Sequence, residues 1–196
     1  MILRRYCEGD CGTTKKKEFS DPLRPLPKVT REFYLTQSEW YAGDKDADGK
    51  YNFSMDRMTL EHPSHVVWNG KAGSLMGDNA LTAKVRESAR FYVINEGSNL
   101  SSSFHIIGTV FKRVYREGDL YSPPGQGIQT TMIPSGGSSI VDIDFTVPGT
   151  FIIVDHAIGR LYKGLVGMIK VSGEPNPEIF EAIKSGEGSG HITHKQ

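Results

Sequence analysis

Residues 140–146, from Ile140 to Thr146, read IVDIDFT. Val141, Ile143 and Phe145 alternate with Asp142 and Asp144, the two-residue period of a strand with one face on a core and the other in water. The pattern predicts Val141, Ile143 and Phe145 inward and both aspartates outward. Similar short runs lie on either side. Downstream are Thr150–His156 (TFIIVDH) and Leu165–Val171 (LVGMIKV). Upstream are Phe104–Phe111 (FHIIGTVF), interrupted by Gly108, and Ala89–Ile94 (ARFYVI), with Ala89, Phe91 and Val93 on one face. Before them come His65–Asn69 (HVVWN), ending at the turn dipeptide Asn69-Gly70, and the aromatic-rich Arg31–Tyr41 (REFYLTQSEWY). Gly, Pro, Asn and Ser fill the gaps. Seven or more short strands at this spacing predict an all-β protein, an antiparallel Greek-key sandwich or barrel with little helix. Helical turns are expected only around Pro175–Lys184 and near Ala157–Lys163.

The chain has 196 residues, the length of one domain with room for long loops or tails. We divide it into a non-native or disordered leader (1–19), a proline-rich linker (20–30), the β domain (31–184) and a disordered tail (185–196). The 23 basic and 23 acidic residues cancel, so net charge suggests neither nucleic acid nor an anionic membrane as partner. There is no apolar run of about 18 residues, as a membrane-spanning helix needs. Met1–Lys17 is basic but lacks the apolar stretch of a secretory signal. It holds Cys7 and Cys11, which could chelate a metal, form a disulfide or do neither; two thiols alone cannot close a four-ligand zinc site. From residue 12 onward there is no cysteine.

Several local motifs read as ordinary structure. Asp44-Lys-Asp46-Ala-Asp48-Gly49 opens like a calcium loop, but Met55 stands where a bidentate carboxylate is required, and no flanking helices are expected. A solvated hairpin loop is the better reading. The Asn-x-Ser sequons at Asn52 and Asn99 carry little without a secretory signal. Ser135–Ser139 is glycine-rich but precedes a strand and lacks the Lys-Ser/Thr ending of a phosphate loop, so it reads as a turn.

Six histidines remain as candidates for chemistry. His62 and His65 flank Pro63 at a strand start, and His191 and His194 lie in the tail. His105 and His156 are each embedded in an apolar strand. Imidazole suits copper or zinc, and its pKa suits proton delivery near neutrality. An imidazole at a strand end is also an ordinary hydrogen-bonded rim residue, and the chain alone offers too few for a three-histidine site.

Three stretches, SSFHIIG (102–108), QTTMIPSGG (129–137) and VPGTFIIVDHA (147–157), resemble the carboxy-terminal cupredoxin domain of copper-containing nitrite reductases in order and spacing. Val66–Gly70 (VVWNG), Gly77–Leu81 (GDNAL) and Gly164–Val171 fit the same pattern. Leu26–Val29 with Arg31–Tyr34 looks like the exit from a first domain. Multicopper oxidases share the fold and are the rival family. The resemblance implies a cupredoxin-like domain in a periplasmic homotrimer that reduces nitrite to nitric oxide, with electrons from a small redox protein. It implies that His156 is the type 2 copper ligand shared with a neighbouring subunit, and that His105 donates protons to nitrite. Thr130 hydrogen-bonds that histidine in this reading, and Ile107 and Ile158 wall the substrate pocket. Gln129 stands where some members have glutamate, a change expected to alter the pH profile.

A type 1 copper site needs a thiolate with two histidines, usually with a weak methionine. The β domain has no cysteine, so it cannot build one. The expectation is the type 2 half of a nitrite reductase, inactive alone and read as a fragment. The alternative is a copper-free module for assembly or binding.

Overall fold

The computed structural model describes residues 25–180. The leader, Cys7, Cys11, the end of the β domain beyond residue 180 and the histidine-containing tail lie outside the described residues.

Among the described residues there are twelve strands: β1 (Arg31–Trp40), β2 (Ala42–Lys45), β3 (Tyr51–Phe53), β4 (His65–Trp68), β5 (Leu81–Lys84) and β6 (Ser88–Gly97), then β7 (Ser102–Ile107), β8 (Arg113–Arg116), β9 (Thr130–Ile133), β10 (Ser138–Asp144), β11 (Gly149–Asp155) and β12 (Val166–Ser172). Ten of them form two five-stranded sheets, ordered β4-β1-β6-β10-β8 and β5-β12-β11-β7-β9. β1 runs parallel to β6 and β5 parallel to β12, while the other pairs within these sheets are antiparallel. This is the β-sandwich that the strand spacing predicts and the cupredoxin-like fold that the resemblance implies, although the two parallel pairs depart from the antiparallel pairing expected. β2 and β3 make a separate hairpin, and the Asp44–Gly49 motif runs from the end of β2 into its loop. There Asp46 Oδ1 accepts from the main-chain N–H groups of Asp48 and Lys50, so the loop closes on itself as a solvated turn.

The alternating residues meet between the sheets. Leu35, Ala89, Phe91 and Val93 from one sheet pack with Phe104, Ile106, Ile153 and Ile169 from the other. Trp68 meets Phe104 edge-on with ring centroids 6.0 Å apart, and Phe104 stacks on Phe111 at 5.7 Å. Such pairs add to the burial of their large apolar areas.

The outer face of the first sheet departs from the expected pattern. Asp142 does point away from the core, yet it is only 2% exposed. Arg90 Nε and Nη2 donate to its two carboxylate oxygens at 2.7 and 2.9 Å, and Arg113 adds a contact at 3.4 Å. Beside this pair Tyr92, Tyr115 and Ile140 form a second small core, covered by Leu26 and Leu120. Arg90 Nη2 also donates to the main-chain oxygen of Pro27 at 2.9 Å. Leu26 and Pro27, in the described part of the proline-rich segment, thus lie on the sheet and close a face that alternation alone assigns to water. Asp144, next to the strand end, is exposed as expected and pairs with Lys112.

Little helix is present. A 3₁₀ helix spans Ile158–Lys163, inside the stretch expected to be helical. The described part of Pro175–Lys184 makes only a turn. An unanticipated helix, α1 (Met55–Thr59), starts at Ser54, whose side chain accepts from Arg57 N–H; at five residues it is too short to show a helical period.

Candidate metal and proton-transfer site

β7 sits between β11 and β9, so its outward residues lie over two neighbours. Phe104 and Ile106 point into the core, while Ser103, His105 and Ile107 take the other face. His105 lies opposite Thr130 on β9 and Val154 on β11. His156 follows the last residue of β11, and its N–H donates to Ser103 O at 2.8 Å. Two histidines distant in sequence therefore come together, with ring centroids 5.3 Å apart and planes inclined by 59°.

The contacts of His105 define its tautomer. Nδ1 lies 2.7 Å from the main-chain oxygen of Gln129. A carbonyl can only accept, so Nδ1 carries the proton and, in the neutral ring, Nε2 holds the lone pair. Thr130 Oγ1 approaches the same nitrogen at 3.4 Å, a much longer contact. Both residues named around His105 are therefore at hand, with a difference in emphasis. Gln129 acts through its backbone, which glutamate would supply equally. The Phe111 ring lies 6.5 Å away between ring centroids. A recess of about 490 Å³ opens at His105, bounded by Thr109, Val110, Gln129, Val147 and Phe151.

The apolar residues expected near the site are exposed: Ile107 is 40% accessible and Ile158 48%. Met132, 69% accessible and paired with Ser103 across β7 and β9, adds a third. Reading the sequence missed Met132, since one methionine in a four-residue strand carries no signal. It also passed over Asp155, which is buried although it precedes an exposed histidine.

The donor set can be tested against copper. Imidazole suits the metal, and two imidazoles, His105 and His156, stand on this face, of which the resemblance casts only His156 as a ligand. Among the described residues no three His, Cys, Asp or Glu side chains gather as a metal site. No described residue is a cysteine, so no blue-copper thiolate centre can form from them. The described residues alone therefore offer imidazole donors to copper but do not complete a three-ligand site.

The copper-containing nitrite reductase of Neisseria gonorrhoeae is 47% identical over 162 residues, which is 82% of this chain and 41% of that protein. The chain is homologous to part of the copper-containing nitrite reductases. The reductase from Pseudomonas chlororaphis is 33% identical over 84% of this chain and 48% of its own length. The chain thus spans less than half the length of these reductases. Among solved structures, a copper nitrite reductase from Nitrosomonas europaea superposes with a TM-score of 0.63 at 31% identity, covering 78% of this chain and 53% of that one. A multicopper oxidase superposes with a TM-score of 0.60 at 22% identity, over 74% of this chain and 45% of that one, and shares the fold. No family model matches the chain.

Proposed function

We propose that this chain forms the type 2 copper half of a nitrite reductase that converts nitrite to nitric oxide. The observation that carries the reading is the approach of His105 and His156 to 5.3 Å on an exposed face bordered by apolar side chains. In this reading His156 is one copper ligand, and the others come from a neighbouring subunit of a homotrimer. Bound copper would supply the electron and a positive centre for the anion. Nitrite, two protons and one electron give nitric oxide and water.

The chain's own residues handle protons and access. With Nδ1–H held by Gln129 O, His105 takes up and releases its mobile proton at Nε2, so delivery needs no rotation of the ring. Thr130 Oγ1 supports the same nitrogen from 3.4 Å. Ile107 and Ile158 would limit water and leave few orientations open to a small anion. The described residues contain no thiolate copper centre, so electrons must arrive from elsewhere: a type 1 cupredoxin domain, itself supplied by a small redox protein. A periplasmic setting suits such a chain. Among the described residues no helix is long and apolar enough to cross a membrane.

The test is to join the chain to a type 1 domain from a nitrite reductase relative and measure nitric oxide production from nitrite. We expect turnover in the fusion, and loss of at least about a hundredfold in His105→Ala, the scale of a removed general acid. His156→Ala should lose copper and activity together. Unchanged turnover in both variants would remove the assignment.

The absence of a third ligand among the described residues favours one other reading, a copper-free module for assembly or partner docking. It predicts no stoichiometric copper even in the assembled oligomer, which elemental analysis would decide.

A further inference from the structure

The residue before His156 is built into a polar hub that neither proton delivery nor copper ligation uses directly. Asp155 is 1% exposed, and its carboxylate accepts four hydrogen bonds. Oδ1 takes the main-chain N–H groups of Ser103 and Ala157, each at 3.0 Å. Oδ2 takes Gln37 Nε2 at 3.1 Å and the guanidinium of Arg160. The second-row partners are fixed too. Gln37, with no exposed surface, accepts from Ser102 Oγ at 2.7 Å, and Arg160 Nη1 donates to Ser101 O at 2.7 Å.

Four elements therefore converge on one carboxylate: β1 of the opposite sheet, the start of β7, the end of β11 and the 3₁₀ helix. A buried carboxylate is costly unless ionised partners and N–H donors surround it, and here they do. The hub brackets His156 and Ile158 between Asp155 and Arg160, five positions apart. It fixes the corner at which the chain leaves β11, and so the point from which the His156 ring projects toward His105.

We infer that Asp155, Arg160 and Gln37 are positioning residues that hold His156 and Ile158 against the His105 face. The purpose of this placement rests on the proposed nitrite reductase reading, but the placement itself does not. It can be tested without metal or turnover.

The experiment uses the full chain with isotopically labelled histidine and measures, by NMR, the through-space cross-peak between the His105 and His156 rings. The wild type should show it. Arg160→Met keeps side-chain length without charge and should lose most of the cross-peak, while amide dispersion and the His105 Nδ1–H signal persist. Arg160→Lys keeps the charge and should retain it. Gln37→Leu should weaken it, and Asp155→Ala should abolish it. A full cross-peak in folded Arg160→Met and Gln37→Leu would overturn the inference. Unfolding of all the neutralising variants would overturn it too, since the hub would then serve the fold rather than the histidine. A cross-peak lost in these variants, together with no copper bound by the wild-type assembled enzyme, would leave the positioning role standing and remove the nitrite reductase reading.

Discussion

At the scale of single residues, His105 shows how backbone and side chain divide the work. The carbonyl of Gln129 sets which ring nitrogen keeps its proton, at 2.7 Å. Gln129→Glu should therefore leave the Nδ1–H tautomer unchanged, with nitrogen chemical shifts of labelled His105 as the readout; a switch to Nε2–H would contradict this. Thr130 contributes a single long contact. A neutral hydrogen bond contributes about 0.5–1.5 kcal/mol, so Thr130→Val should cost no more than about tenfold in turnover of the reconstituted reductase. The two histidines were visible in the sequence as imidazoles in apolar strands, but their pairing came only from the family resemblance. The Gln129 contact could not be read at all, because every residue carries the same carbonyl.

At the scale of elements, β7 ends where it does because of Gly108. Its φ is +91°, and a Cβ there would lie 3.1 Å from the Phe151 ring. Gly108→Ala should destabilise the domain by about 1–3 kcal/mol, seen as a lower urea midpoint, since both the backbone conformation and the ring contact oppose it. The break was legible as an interruption in an apolar run. The strands with clear alternation or unbroken apolar runs were legible too, β10 foremost. β8 and β9 were not, being four residues each with no decisive period. Their pairing depends on β10 and β7, which no local pattern encodes.

Across the whole molecule, the buried Arg90–Asp142 pair joins the first sheet to the segment laid over it. Arg90→Met would strip Asp142 of its bidentate partner, leaving Arg113 at 3.4 Å. We expect a loss of about 3 kcal/mol by thermal or denaturant unfolding, the low end of the range for breaking such a pair. The burial of Asp142 was hidden because alternation tells which face a residue takes, not what later covers that face. A second ion pair makes stability depend on pH. Arg31, bonded at 2.5 Å, holds the Glu87 carboxyl below the usual range, and the Lys84 N–H assists. A depressed carboxylate stabilises above its unfolded pKa of about 4.3, and that contribution disappears as pH falls through the folded value. Glu87→Gln should therefore narrow the difference in melting temperature between pH 7 and pH 3; an unchanged difference would count against the pair.

The parallel pairing of β5 with β12 also governs how fast the chain can find its fold. Leu81 has no sheet partner until Ile169 arrives, and the contact from Gln37 to Asp155 spans 118 residues. Loop closure on that scale precedes any reward from the contacts it permits, which places the domain among slow, high-contact-order folders on the millisecond-to-second scale. Until β12 docks, the open edges of β5 and β11 are free to recruit strands from other chains. Refolding yield should therefore fall as protein concentration rises, even under conditions where the finished domain is stable.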